Sequence, residues 1–209
     1  MAELNIDLHP AQLQIFHSKK RFKIVAAGRR FGKSYLSAWI LLIKAIQSTN
    51  KDVYYIAPTF QQAKDIMWSL LKDLGRDLIA QAHENTATLT LINGRKIYLK
   101  GSDRESTLRG AGLAYVVMDE MANIKPVVWE QIIRPTLADI KGGCLMIGTP
   151  AAKNHFFDLY KDALEDDEWD AFQFNSTDNP FLPPEEIEAA RKNMSSMAFR
   201  QEFEASFET

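Results

Sequence analysis

Residues 23–34 read KIVAAGRRFGKS: a short run of strand character, a turn rich in glycine and arginine, and then Gly32-Lys33-Ser34 at the head of an amphipathic stretch. A lysine and a hydroxyl set between a strand and the helix that follows it is the layout of a phosphate-binding loop, in which backbone N–H groups and the helix dipole together cradle a polyphosphate. The usual pattern has a first glycine five positions before the second. Here that position is Ala27, with Gly28 one step later, so the loop is a variant, AGRRFGKS. The tripeptide alone is a weak signal; its place between strand and helix gives it weight. A glycine-containing turn with a solvated basic cluster is the competing reading.

Downstream of this loop, Leu36, Trp39, Ile40, Ile43 and Ile46 recur at helical spacing. A second strand, 53–57 (VYYIA), ends at Pro58, and Thr59 with Gln62 makes a capping box for a helix running to about Gly75. Residues 86–92 and 96–100 flank Asn93-Gly94, which predicts a type I′ hairpin with positive φ at both turn positions. Residues 115–118 and 144–147 are apolar throughout, as buried central strands of a parallel sheet are. Between them a helix from Pro126 is expected to stop near Ile133, because Pro135 disfavours helical geometry in the residue before it. This alternation predicts an α/β fold of the P-loop NTPase (ASCE/RecA-like) kind: a mainly parallel central sheet flanked by helices, with an inserted β-hairpin. Residues 1–176 would form the P-loop domain. Residues 177–209, with Asn179-Pro180, Pro183-Pro184 and two helical stretches, would form a linker or packing arm.

The composition is that of an ordinary globular protein. The 209 residues are 46% hydrophobic, enough for one sizeable core, and 25 basic against 27 acidic residues give a net charge of −2. That balance argues against holding nucleic acid by bulk electrostatics, though a local basic stripe would survive the average. A single cysteine, Cys144, and a start that lacks a signal-peptide layout fit a reducing, cytosolic setting. No apolar run approaches the roughly 20 residues that a membrane helix needs, so a soluble protein is expected.

Asp119-Glu120 ends an apolar strand at its C-terminal end, where parallel sheets bind ligands. The chemistry expected is ATP hydrolysis. Lys33 would neutralise the β and γ phosphates, with Arg29 and Arg30 adding charge beside them. Ser34 would give an oxygen to Mg²⁺, Asp119 would hold that ion through water, and Glu120 would orient and deprotonate the attacking water. The alternative makes the pair an acidic cluster near a helix N-terminus. Arg104 and Arg109, in the loop GSDRESTLRGAG, are candidates for an arginine finger, a group worth about 10³ to 10⁵ in rate. The finger would come from a neighbouring subunit, so oligomerisation is expected; solvated loop charges are the other possibility. Thr149, just after the 144–147 run, could contact the γ-phosphate or its water with its hydroxyl, or belong to a plain strand-end turn. Gln12, ahead of the first strand, has an amide able to read an adenine edge, or is a surface polar residue. Cys144 belongs to the core, and His9, His17, His83 and His155 lack metal-ligand spacing. Lys72 and Arg76 could touch DNA phosphates, although solvated helix charges are the commoner case.

Taken in order, HPAQ (9–12), GRRFGKS (28–34), YYIAPTFQQA (54–63), LRGAG (108–112), VVMDE (116–120), IGTP (147–150), NPFLPPEEIEAAR (179–191) and FRQEF (199–203) resemble the ATPase domain of a tailed-bacteriophage large terminase, the DNA-packaging motor. The resemblance implies that Gln12 contacts adenine. It also implies that Gly28, Arg29, Arg30, Gly32, Lys33 and Ser34 form the P-loop, that Asp119 and Glu120 act in hydrolysis, and that Thr149 couples it to movement. Arg109, with Arg104 second, would be the finger given to the next subunit of a homo-oligomeric ring on the procapsid. Double-stranded DNA, the portal protein and the small terminase subunit are the implied partners, ATP and Mg²⁺ the cofactors, and the bacterial host cytoplasm the location. In isolation the domain would be monomeric or weakly associated. Family members usually carry a C-terminal nuclease domain. With the chain ending at Thr209, a shortened or separately encoded motor domain without DNA cleavage is expected. A helicase-like nucleic-acid ATPase, or a nucleotide-switched docking module without productive hydrolysis, are the alternatives.

Overall fold

A computed structural model describes residues 4–110 and 112–208. Ala111 of the LRGAG segment and the terminal residues 1–3 and 209 lie outside the described residues. Along the chain come α1 (Pro10–His17), β1 (Phe22–Ala27), α2 (Lys33–Gln47), β2 (Val53–Ala57), α3 (Phe60–Ala63), a π turn (Lys64–Trp68) and α4 (Ser69–Leu74). Then follow β3 (Ile79–His83), β4 (Thr88–Leu91), β5 (Lys96–Gly101), β6 (Tyr115–Asp119), a second π turn (Val128–Ile133), α5 (Arg134–Thr136) and β7 (Gly143–Gly148). The chain closes with α6 (His155–Leu164), β8 (Trp169–Phe174), α7 (Pro184–Asn193) and α8 (Ser196–Phe203). Packing divides them into two compact units, one of residues 4–7, 34–119 and 123–144, the other of residues 8–33, 120–122 and 145–208.

In the first unit the strand order is β3-β4-β5-β2-β6. β2 runs parallel to both β5 and β6, pairing Val53 with Ile97 on one side and with Tyr115 on the other. Every residue of β2 and β6 is buried, which is why both read as unbroken apolar runs. The hairpin predicted around Asn93-Gly94 is present as antiparallel β4 and β5, and it carries an additional antiparallel strand, β3. Its turn differs from the expected type I′. Only Gly94 has positive φ (82°), Gly94 N–H reaches Leu91 O at 2.9 Å, and Leu91 N–H reaches Arg95 O at 2.8 Å. That is a three-residue loop with a glycine bulge. The Asn93 side chain is used elsewhere: its amide donates to Ala45 O and Ile46 O, both at 3.0 Å, at the end of α2, where Ala45 O also accepts Ser48 N–H at 3.2 Å.

Two helices also depart from expectation. α2 buries Leu36, Trp39 and Ile40 as its spacing predicts, but Ala38, Leu41, Leu42 and Ala45 complete the buried face, while Ile43 and Ile46 are half-buried. The helix begun at Pro126 does not stop near Ile133 but continues through Pro135 to Thr136. A π turn makes this possible. Arg134 N–H bonds Trp129 O, five residues back, so the extra residue falls where Pro135 lacks an N–H, and Thr136 Oγ1 donates to Ile132 O and Ile133 O at 3.1 and 2.7 Å. The Thr59 cap forms by half: its hydroxyl accepts from Gln62 N–H at 3.1 Å and donates to Gln62 Oε1 at 3.3 Å.

In the second unit the order is β7-β1-β8. β8 is parallel to β1 over Phe22↔Trp169 to Ala27↔Phe174. β1 is buried along its length, and its one charge, Lys23, sends its ammonium to Ile15 O at 2.8 Å, near the end of α1. Residues 177–208 pack within this unit. Phe207 meets Phe156, Phe157 and Tyr160 of α6 with ring centroids 5.0 to 5.6 Å apart, and Gln173 donates to Ala205 O at 2.6 Å. Parallel strands and covering helices in each unit give the α/β class that the sequence predicts.

Candidate functional site

β1 ends at Ala27, and α2 begins at Lys33. The turn between them needs left-handed backbone twice, at Arg30 (φ 58°) and at Gly32 (φ 99°). Glycine is required at the second position for another reason too: a Cβ there would lie 2.4 Å from Gln12 Nε2. The first N–H groups of α2 have no partner inside the helix, and they carry the positive end of its dipole. Phe31 N–H closes the turn with a long bond to Gly28 O, 3.3 Å.

Lys33 is anchored at three oxygens: Ala27 O at 3.0 Å, Gly28 O at 2.8 Å and Thr149 Oγ1 at 3.1 Å. Thr149 in turn donates to Ala27 O at 3.2 Å. The hydroxyl expected to report on the phosphates therefore touches the P-loop lysine directly. Thr149→Val removes a side-chain acceptor of Lys33 while keeping the shape. It is expected to lower the unfolding free energy by about 1 kcal/mol, measured by urea denaturation.

Two other residues expected at the nucleotide have partners within the chain. Gln12 is 3% exposed, and both ends of its amide are used: Nε2 donates to Gly32 O at 2.9 Å and Oε1 accepts from His9 N–H at 3.0 Å. Arg29 pairs its guanidinium with the Glu202 carboxylate on α8, and its N–H bonds Glu202 O at 2.6 Å. The side-chain hydrogen bond and the Glu202 charge push the Arg29 pKa up, with a smaller contribution from the charge of Glu120. Gly28 is pinned by the same arm, since a Cβ there would stand 2.5 Å from both Phe203 O and Ser176 Oγ.

Glu120 has left-handed backbone, φ 52°, at the end of β6. For a residue with a side chain this conformation costs about 1–2 kcal/mol, and such strain gathers at functional sites. The segment after it is held firmly: His155 Nε2 bonds Met121 O and Asn154 Nδ2 donates to Ala122 O, both at 3.1 Å. Gly148 gives it room, because a Cβ there would approach Met121 N to 3.1 Å.

In the first unit Asp119 is 2% exposed and accepts a 2.6 Å bond from the Tyr55 hydroxyl, itself fully buried on β2. Tyr55 is the residue that sequence reasoning passes over. Its signal is a phenol in the middle of a buried strand, where the O–H must find an acceptor. Arg104 and Arg109 are both exposed. Arg104 lines a pocket of about 290 Å³ with Phe60, Leu99, Lys100 and Thr107. Arg109 follows Leu108, whose complete burial fixes the loop beneath it. Lys100 secures the loop further, donating to Thr107 O at 3.1 Å from above the rings of Tyr54 and Tyr98. Lys72 lies 3.6 Å from Glu84, a carboxylate it shares with Lys64, and over the Trp68 ring, while Arg76 is exposed. Among the described residues no group of three or more His, Cys, Asp or Glu could hold a metal ion, and no helix is long and apolar enough to cross a membrane.

The family model described as terminase large subunit, T4likevirus-type, N-terminal, matches residues 24–209. The terminase large subunit of Escherichia phage T5 is 28% identical over 196 residues, covering 90% of this chain and 44% of that protein. That of Thermus virus P23-45 is 28% identical over 176 residues, covering 73% of this chain and 36% of its own length. The chain thus spans less than half the length of these curated relatives. Among solved structures, the large terminase ATPase domain of Thermus phage P74-26 superposes with a TM-score of 0.83 at 25% identity, over 96% of this chain and 94% of that one. The large terminase of another thermophilic bacteriophage, in complex with ADP, shares the fold with a TM-score of 0.83 at 17% identity, over 97% of this chain and 54% of that one.

Proposed function

Because the chain belongs to the N-terminal family of terminase large subunits, we propose that it is the ATP-hydrolysing motor domain that drives double-stranded DNA into a procapsid. The observation that carries this reading is the seating of Lys33, across Ala27 O, Gly28 O and Thr149 Oγ1, in a loop whose left-handed turns lead into the N-terminus of α2. An ammonium and helix-end amides in that setting suit a polyphosphate. Support also comes from relatives: the P74-26 domain is described as an ATPase domain, and the second thermophilic phage's large terminase forms complexes with ADP and with ATP-γ-S.

Lys33 binds the β and γ phosphates, Arg30 adds charge beside them, and Glu120 takes a proton from the attacking water. Mg²⁺ would be held by Ser34, whose hydroxyl lies in the first turn of α2, and by Asp119, which Tyr55 holds in place. One hydroxyl and one carboxylate are what a nucleotide-borne Mg²⁺ takes from a protein, where its role is to neutralise phosphate charge. Gln12 and Arg29 act through the loop they tie, and adenine recognition by Gln12 exchanges one of its two internal bonds for the base.

The exposed Arg109 serves as the finger for the adjacent subunit of a ring, with the portal protein and small terminase subunit as further partners in the host cytoplasm. ATP turnover per subunit should rise with protein concentration as subunits associate. Arg109→Ala should abolish that rise, with a loss of about 10³-fold or more in the assembled state. A rate per subunit that stays flat while rings form, or an Arg109→Ala ring as active as the parent, would rule out a finger supplied in trans.

A further inference from the structure

Six consecutive carbonyls, from Ala27 to Gly32, accept hydrogen bonds from side chains. Lys33 takes the first two and Gln12 the last. The three between them are held by residues with no assigned role: Ser176 Oγ donates to Arg29 O at 2.6 Å, Asn179 Nδ2 to Arg30 O at 2.7 Å, and His9 Nε2 bonds Phe31 O at 2.8 Å.

We infer that His9, Ser176 and Asn179 are positioning residues for nucleotide binding, holding the middle carbonyls of the P-loop outward so that its amides face the phosphates. This rests on the P-loop reading above. A trans peptide plane points its C=O and its N–H in opposite directions. Turning the N–H groups of Arg30, Gly32 and Lys33 toward an anion therefore turns the carbonyls of Arg29, Phe31 and Gly32 away from it, and the Arg30 carbonyl joins them when Phe31 N–H exchanges its long 3.3 Å bond to Gly28 O for the anion. A carbonyl turned into protein needs a donor, or its desolvation opposes the fold.

Each of the three is itself fixed. His9 is the N-cap of α1, and its Nδ1 accepts from Gln12 N–H at 3.3 Å, which leaves Nε2 as the protonated nitrogen facing Phe31 O. Ser176 is fully buried, in the space that Gly28 leaves by having no side chain. Asn179 accepts from Phe181 N–H at 3.0 Å with Oδ1, aiming its NH₂ at Arg30 O. Ser176 and Asn179 stand at the two ends of one short turn, closed by Asn175 N–H to Asp178 Oδ2 at 2.7 Å. The turn following β8 thus grips the left-handed Arg30 and its predecessor, and it leads directly into the C-terminal arm.

The test uses Asn179→Ser, a neutral change that keeps an acceptor for Phe181 N–H but is too short to reach Arg30 O, alongside Ser176→Ala and Lys33→Ala. Calorimetry would measure binding of ATP-γ-S with Mg²⁺, and thermal unfolding without nucleotide would report the fold. Asn179→Ser and Ser176→Ala should each weaken binding about tenfold, a hydrogen bond's worth, with the Asn179→Ser melting temperature unchanged. Lys33→Ala should lose binding. Wild-type affinity in Asn179→Ser while Lys33→Ala fails to bind would overturn the positioning role and leave the P-loop reading standing. Affinity lost only in step with melting temperature in both arm variants would mark the bonds as purely structural and overturn it as well. Undiminished binding by Lys33→Ala would remove the reading on which the inference rests.

Discussion

Glu120→Gln should abolish ATP turnover, by about 10² to 10⁴-fold, while the protein still binds nucleotide. The amide fills the same volume and keeps the left-handed backbone at φ 52°, so the strand end and its ties to His155 and Asn154 are retained. What disappears is a base able to accept a proton from water. Single-turnover measurement of phosphate release, paired with equilibrium binding of ATP-γ-S, separates the two effects. Turnover within a factor of a few of the parent would mean that Glu120 is not the base. It would favour a domain that uses nucleotide as a switch for docking and does not depend on its hydrolysis.

The second large effect is expected at Lys33. Lys33→Ala would remove the charge proposed to compensate the β and γ phosphates, and loss of one preorganised charge donor costs about 10²- to 10³-fold in rate. It also strips Ala27 O, Gly28 O and Thr149 Oγ1 of a shared donor, which should lower stability by about 1–3 kcal/mol. Lys33→Met distinguishes the two contributions, because it restores the apolar stem without the ammonium. Denaturant unfolding should show part of the stability recovered, while turnover stays as low as in Lys33→Ala. Recovery of turnover by Lys33→Met would show that the ammonium is dispensable.

Much of the fold is legible because it rests on local pattern. The β1–loop–α2 unit can be read from KIVAAGRRFGKS, and β2, β6 and β7 from apolar runs that match their burial on both faces. β3 and β8 escape notice for the opposite reason. Their residues are largely exposed or half-buried, so neither continuous apolarity nor clean alternation marks them. At Asn93-Gly94 the local preference for a type I′ turn gives way to a three-residue loop in which the Asn93 amide reaches the end of α2. Pro135 is a similar case, since a π turn absorbs what would otherwise stop the helix.

At the candidate site the same division holds. Gly32, Lys33, Asp119, Glu120 and Thr149 are readable from where they fall relative to strand ends and the helix start. The partners that set their geometry are not: Tyr55 beneath Asp119, His9 and Asn179 outside the P-loop, and Glu202 on Arg29. HPAQ and NPFLPP are visible as segments, yet nothing in either names the carbonyl it will hold.

Amino-acid order alone determined the α/β class, the turn that joins β1 to α2 and which side chains are the candidates for the chemistry, since these follow from periodicity and from neighbours in the chain. Only the tertiary structure decided that Gln12 and Arg29 are tied inside the protein and that the distant turn after β8 grips Arg29 and Arg30. The physical reason is that an outward-facing carbonyl accepts any donor the fold can bring within about 3 Å, so its partner is set by packing and leaves no periodic trace in the sequence.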